Sequence, residues 1–386
     1  MKIYYVANSR MPTIKAYGLQ IAKMCEAFSK SGFDCELIIP KRHRYPNTGE
    51  GNILDYYDIK TWFDIKELPS WDLIDINLGS FLNKILFWIQ QHYFARELKK
   101  YLSDKENGTI VFSRDQFSIS VLDGNKYKLF WEAHNLPKNI KSGFYKNVLS
   151  KIKGLVVISE GLKRDFSRHY KKTIVVAPDG VDFEEFNAEI NKEDARKKFQ
   201  LSLDTKTAVY TGHLYSWKGV DILLKVAKHL RQINENFAIL IFGGTKKDVD
   251  ELGQRIEPSL EQLVQIKGFV PHQQVAQILK AADCAILTGR ETEDISAKYT
   301  SPLKLFEYMA SGCPIVAQRL PSFVEVLNDS NSVLVEPGNP RALAEGINKI
   351  FTDNELAEKI SRQALEDVKK YTWLERVKKI ASIMSA

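Results

Sequence analysis

The chain has only four cysteines in 386 residues. Cys25, Cys35, Cys284 and Cys313 form no C-x-x-C pair and no metal-ligand spacing. That excludes a disulfide framework and points to buried thiols in a reducing compartment. No stretch of about 18 consecutive apolar residues occurs, so no membrane-spanning helix is expected. MKIYYVANS enters a strand pattern directly, so no signal peptide is expected. No G-x-G-x-x-G follows the first strand, which disfavours a dinucleotide-dependent oxidoreductase. A dense Arg/Lys block interleaved with aromatics is lacking, which disfavours nucleic acid as partner. Asp248-Val249-Asp250 lies within a helical pattern rather than at a strand end, so no divalent metal and no other cofactor is expected.

What is present is a globular composition, with 44% hydrophobic and 27% charged residues. The length favours two domains. Residues 1–184 hold 28 Lys+Arg against 21 Asp+Glu, whereas residues 185–386 hold 27 of each. The whole basic excess therefore lies in the first half. It is read either as a solubilising surface or as attraction to an anionic membrane or lipid-phosphate acceptor. The expected location is the cytoplasm, with peripheral contact at the membrane face as its extension.

Short apolar runs alternate with helical spacing throughout, which implies parallel sheets covered on both faces. Strand candidates in the first half are Ile3–Ala7, Cys35–Ile39, Thr109–Phe112, Leu129–Glu132, Leu155–Ile158 and Thr173–Val176. In the second half they are Ala208–Thr211, Phe237–Phe242, Val264–Lys267, Cys284–Leu287, Pro314–Ala317 and Val333–Val335. Helical patterns fill 16–30, 81–102, 160–168, 217–231, 272–281, 302–311, 341–351 and 355–370. The apolar positions of 81–102 suit a buried helix, with an interfacial face as the alternative. The expected domains are 1–183 and 184–370.

The segment 300–317, TSPLKLFEYMASGCPIVA, reads as a helix marked at both ends. Ser301 suits the N-cap and Pro302 the first helical position. Gly312 suits the left-handed terminal position, and Pro314 blocks continuation. The helix start offers unpaired N–H groups and a positive dipole end to a phosphate, and Lys304 adds a cation. Glu307 follows on the same face. Four residues rise about 6 Å, roughly the offset from a diphosphate to the ribose hydroxyls of one nucleotide. The plainer reading is a capped amphipathic helix with a solvated Lys–Glu pair.

This segment resembles the signature of retaining GT-B glycosyltransferases of glycosyltransferase family 4, an E-x7-E motif followed by A-M-A-x-G-x-P-V. The resemblance implies an α/β chain of two Rossmann-like doubly wound domains facing a central cleft, and a ribose-binding role for Glu307. The first Glu of the motif falls at position 299, where this chain has Tyr299. Glu291, Glu293, Asp294 or Tyr299 itself is left to contact the donor sugar. A subset of the family carries S-P-x-K-L-x-E-Y-M-A, which this chain matches.

Further motifs extend the resemblance over the chain, and it implies that the C-terminal helix, 371–386, packs back on the first domain. Tyr210–Gly219 is similar to the family's G-R-L-x-x-x-K-G turn. Lys218 matches its diphosphate-gripping Lys, and His213 stands where Arg is usual. Gly243 and Gly244 end a strand and permit close backbone approach. His134, at the end of the run 130–135, resembles the family histidine that faces the donor sugar. Arg10 and Lys15, in a first turn that lacks the family's Gly-Gly loop, are candidates for a phosphate or an anionic acceptor. The expected catalytic residues are thus His134, Lys218 and Glu307. Gly212, His213, Lys218, Gly243, Gly244, Tyr299, Thr300, Ser301, Leu303, Lys304 and Glu307 are expected to bind the donor.

The implied reaction is metal-independent transfer from a nucleoside-diphosphate sugar to a hydroxyl of a glycan, a lipid-linked saccharide or a small molecule, with retention, as in polysaccharide biosynthesis. The rivals are a non-catalytic nucleotide-sugar-binding partner subunit and a nucleotide-sugar epimerase on the same fold.

Overall fold

A computed structural model describes residues 1–42, 51–71, 80–187 and 190–384, apart from the side chains of Ser80 and Phe81. The chain divides into two compact units. The first holds Met1–Ile158, Leu162–Pro178 and Trp373–Ala386, and the second holds Ser159–Gly161 and Asp179–Thr372. Apart from Ser159–Gly161, the chain passes from the first unit to the second at Pro178/Asp179 and returns at Thr372/Trp373.

In the first unit the strands are β1 (Lys2–Val6), β2 (Asp34–Pro40), β3 (Asp64–Leu68), β4 (Ile110–Ser113), β5 (Lys128–Ala133), β6 (Gly154–Val157) and β7 (Ile174–Val176). They form a parallel sheet in the order β3-β2-β1-β4-β5-β6-β7. β3 escapes the sequence pattern because its DIKEL run is polar. Among the described residues it is an edge strand that pairs with β2 alone, and it leaves most of its side chains at least partly exposed. The last helix, Trp373–Met384, packs against Ala16–Lys30.

The second unit contains β8 (Lys206–Thr211), β9 (Phe237–Phe242), β10 (Val264–Gly268), β11 (Cys284–Leu287), β12 (Ile315–Gln318) and β13 (Val333–Val335). These are parallel in the order β10-β9-β8-β11-β12-β13. Successive side chains of a strand point to opposite faces. Accordingly Val209, Leu240 and Ala285 join one buried cluster, and Ala208, Tyr210, Ile239 and Ile241 join another. Two apolar faces explain why these strands read as nearly continuous hydrophobic runs. All four cysteines are buried, and none forms a disulfide.

Three helical expectations need correction. Ser301 does not cap the helix Leu303–Ser311, because its Oγ accepts the Asp179 N–H at 2.8 Å. Pro302 occupies the N-cap in its place. The pattern over 217–231 is not one helix, since Gly219 in the left-handed region (φ 64°) separates a short 3-10 turn, Ser216–Lys218, from Ile222–Ile233. The helix Ser80–Leu102 is only half a core helix. Phe94, Ala95, Leu98 and Leu102 are buried, whereas Leu82, Ile85, Phe87 and Trp88 are exposed. The side chain of Phe81 lies outside the described residues. No helix among the described residues is long and apolar enough to cross a membrane.

Candidate functional site

In an open parallel sheet the crevice for a ligand opens at the carboxyl ends of the strands where the order reverses. In the second unit that point lies between β8 and β11. β8 ends in Thr211 and Gly212. Gly212 has φ +125°, and a Cβ there would stand 3.1 Å from Lys304 Nζ. Gly243, ending β9, has φ +119°, and a Cβ there would stand 2.2 Å from the Gly212 oxygen. Both φ values favour glycine, and at Gly243 the approach is backbone to backbone. Gly244 continues the same turn. The helix Leu303–Ser311 is tied to β8 by Tyr308, whose hydroxyl accepts the Thr211 N–H at 2.9 Å.

Two lysines converge here. Lys304 is buried, and its ammonium lies 3.5 Å from the centroid of the Tyr210 ring. Lys304 Nζ has no hydrogen-bond acceptor in reach among the described residues. Burial holds its pKa well below the usual lysine value, and the nearby Lys218 charge adds to this. Lys218 stacks on Trp217 at 4.6 Å. Burial lowers its pKa to about 8, against an opposing pull from Glu307. Two crowded lysines, one of them without an acceptor among the described residues, suit an incoming polyanion.

The Lys218 turn is held from β11. Thr288 Oγ1 donates to the Lys218 carbonyl at 2.8 Å. Arg290 donates to the Ser216 carbonyl at 2.6 Å and to Asp221 at 2.7 Å. His213 stacks on Tyr215, with ring centroids 4.9 Å apart. Glu307, one turn beyond Lys304, accepts from His272 Nε2 at 2.9 Å. Leu303 opens the same helix. Tyr299 and Thr300 precede it in partly exposed positions, and Glu291, Glu293 and Asp294 are exposed. Asp248 is spent on a capping box with Thr245 at the start of the helix Lys246–Gly253, and so the D-x-D has a structural occupation.

In the first unit His134 follows β5, and its Nε2 lies 2.6 Å from Glu132 Oε1. Glu132 is fully buried. The same oxygen accepts from Gln20 at 2.7 Å and from Arg376 of the last helix at 2.9 Å. Burial alone would raise the Glu132 pKa, but Arg376, His134 and Arg114 hold it well below the usual carboxylate range. Arg10 and Lys15 flank the turn after β1, Lys15 exposed and preceding the helix Ala16–Lys30.

Residues 191–367 match the family described as glycosyl transferases group 1. The chain is 25% identical over 348 residues to an uncharacterized glycosyltransferase of Methanocaldococcus jannaschii, covering 88% of this chain and 81% of that protein. It is 24% identical over 242 residues to the D-inositol 3-phosphate glycosyltransferase of Corynebacterium diphtheriae, covering 59% of this chain and 55% of that one. The chain thus spans only about half the length of the latter. Sucrose-phosphate synthase from Thermosynechococcus elongatus superposes with a TM-score of 0.75 at 18% identity, over 100% of this chain and 98% of that one. Anabaena HepE in complex with UDP and glucose gives 0.73 at 16%, over the whole of both chains. The group 1 match and these relatives support a place in the GT-B glycosyltransferase superfamily, whose fold the chain has.

Within this GT-B chain, sequence reasoning passed over His272, Glu185, Thr288, Arg290, Glu132 and Arg376. Thr288 and Arg290 were within reach of it, since they directly follow the strand Cys284–Leu287 at the switch point. Arg376 carries no such signal, because only the return of the last helix brings it to Glu132.

Proposed function

We propose that this chain moves a sugar from a nucleoside-diphosphate sugar to an acceptor hydroxyl, with retention of configuration and without a divalent metal. The observation that carries the reading is the convergence of Lys218 and Lys304, one of them buried without an acceptor, beside the carboxylate of Glu307 at the β8/β11 switch point. The diphosphate would lie against Gly212, Lys218 and Lys304, and the ribose against Glu307. In the reaction the bond from the anomeric carbon to the phosphate oxygen breaks and one to the acceptor oxygen forms on the same face. The acceptor proton passes to the departing phosphate. Charge builds on that phosphate, and fixed cations stabilise it without reorganising. Retention and membership of glycosyltransferase family 4 rest on the resemblance of 299–317. Sugar contact by His134 and Tyr299, and phosphate contact by Arg10 or Lys15, belong to the same proposal, as does a cytoplasmic enzyme of polysaccharide biosynthesis working at the membrane face.

UDP-sugars are the first donors to try, given the UDP and glucose in the HepE complex, and inositol phosphates and lipid-linked saccharides the first acceptors. The test is a donor screen for released nucleoside diphosphate in the presence of chelator. Wild type is run beside Glu307→Ala, Lys218→Ala and His134→Ala. Turnover with one donor that is lost in the Glu307 and Lys218 variants is expected. Binding without turnover on any acceptor would favour the partner-subunit reading, for which Tyr299 in place of Glu is the motivating observation.

A further inference from the structure

Glu307 is hydrogen-bonded to a histidine that the motif does not contain. His272 opens the helix His272–Ala281 directly after β10. Its Nε2 lies 2.9 Å from Glu307 Oε1, and its Nδ1 lies 3.3 Å from Glu185 Oε1. The Phe186 ring meets the imidazole edge-on at 5.5 Å. A ring with a carboxylate at each nitrogen donates from both, which is the imidazolium form. Burial by itself would lower the His272 pKa, but the two carboxylates override it and raise it to about 10.

We propose that His272 is a positioning residue that fixes the Glu307 carboxylate for a ribose diol. The proposal rests on Glu307 being the ribose-binding group. The need for a tether follows from the neighbours. Lys304 and Glu307 are three apart on one helix, a spacing at which side chains meet. The terminal torsion of a glutamate is broad and about two-fold. Yet Lys304 Nζ has no acceptor among the described residues, and Oε1 of Glu307 is bonded to His272 rather than to the lysine. Held this way, Glu307 presents Oε2 to the ribose, and Lys304 stays available for phosphate. Without His272 the carboxylate is at liberty to turn toward the lysines, and both functions suffer. Glu185 completes the device by anchoring the far nitrogen of the ring.

The discriminating measurement compares nucleotides with and without the diol. Binding of UDP, GDP and ADP is titrated calorimetrically, each beside its 2′,3′-dideoxy counterpart, and the tightest pair is followed. The ratio within the pair cancels any change at the phosphate. Wild type should prefer the diol by about 10- to 100-fold, as expected for hydrogen bonds to a charged group. His272→Ala should reduce that ratio to within about threefold, while His272→Gln, whose amide N–H still donates, should keep most of it. Binding of the dideoxy compound by each variant reports that it is folded. An unchanged ratio in His272→Ala overturns the proposal while leaving the ribose reading of Glu307 intact. A wild type that does not discriminate, matched by Glu307→Ala, removes the ribose reading and the His272 role together.

Discussion

Lys304 allows a test in which stability and binding move in opposite directions. Its ammonium is buried, has no acceptor among the described residues and shares its surroundings with Lys218. A buried polar group without a partner costs about 1–3 kcal/mol. The Tyr210 ring, 3.5 Å away, returns part of this, about 0.5–2 kcal/mol for a cation over an aromatic face. Lys304→Met keeps the aliphatic stem and removes the charge. The net gain in the ligand-free protein is then about 1 kcal/mol, a rise in Tm of about 2–4 °C for a unit of this size. Loss of a charge-assisted bond to phosphate should weaken nucleoside diphosphate binding by about 10- to 100-fold. Differential scanning calorimetry and isothermal titration with UDP measure the two effects. A fall in Tm together with unchanged affinity would show that Lys304 is a structural lysine and refute the reasoning.

Lys218 gives a pH signature. Its folded pKa of about 8 lies below the unfolded value of 10.5, so the unfolded chain binds more protons between the two. Stability of the ligand-free protein should rise with pH over that window, and Lys218→Met should flatten the rise in urea titrations. Nucleotide affinity should run the other way, falling as pH passes 8. Arg376→Met should leave Glu132 buried beside too few donors and cost the first unit about 3–5 kcal/mol by urea unfolding. Nucleotide binding by the folded variant should stay unchanged, because Lys218, Lys304 and Glu307 all belong to the other unit. A loss below about 1 kcal/mol would mean that the pair is relaxed by solvent.

What the sequence revealed of this site follows from which contacts are local. The β8 and β9 turns end in glycines, and the helix Leu303–Ser311 is bounded by Pro302 and Gly312, so the backbone cradle was legible from turn chemistry. Lys304 and Glu307 share one helix, and helical spacing alone puts them together. His272 is 35 positions from Glu307, and Arg376 is 244 from Glu132. No periodicity links such pairs, and only sheet order brings them into contact. Ser301 shows the opposite failure. Its local chemistry favours capping, but a tertiary donor, the Asp179 N–H, takes the hydroxyl. In Ser80–Leu102 helical spacing marks an apolar face but not what covers it, and Leu82, Ile85, Phe87 and Trp88 are exposed.

The two lysines, the restrained carboxylate and the left-handed glycines together make a site whose electrostatic cost is borne before the ligand arrives. A nucleotide that supplies the missing acceptors should return that cost. At 100 times the wild-type Kd the wild type gains about 2.7 kcal/mol and a variant about 10- to 100-fold weaker gains only about 1.4 to 0.4 kcal/mol, a difference larger than the roughly 1 kcal/mol attributed to the lone Lys304 ammonium. The order of melting temperatures should therefore invert. Lys304→Met should melt above wild type without nucleotide, and below it at a UDP concentration that saturates wild type but not the variant. A residue that contributed only packing would shift both curves the same way. The crossing of the two series thus separates a preorganised anion site from a merely strained one.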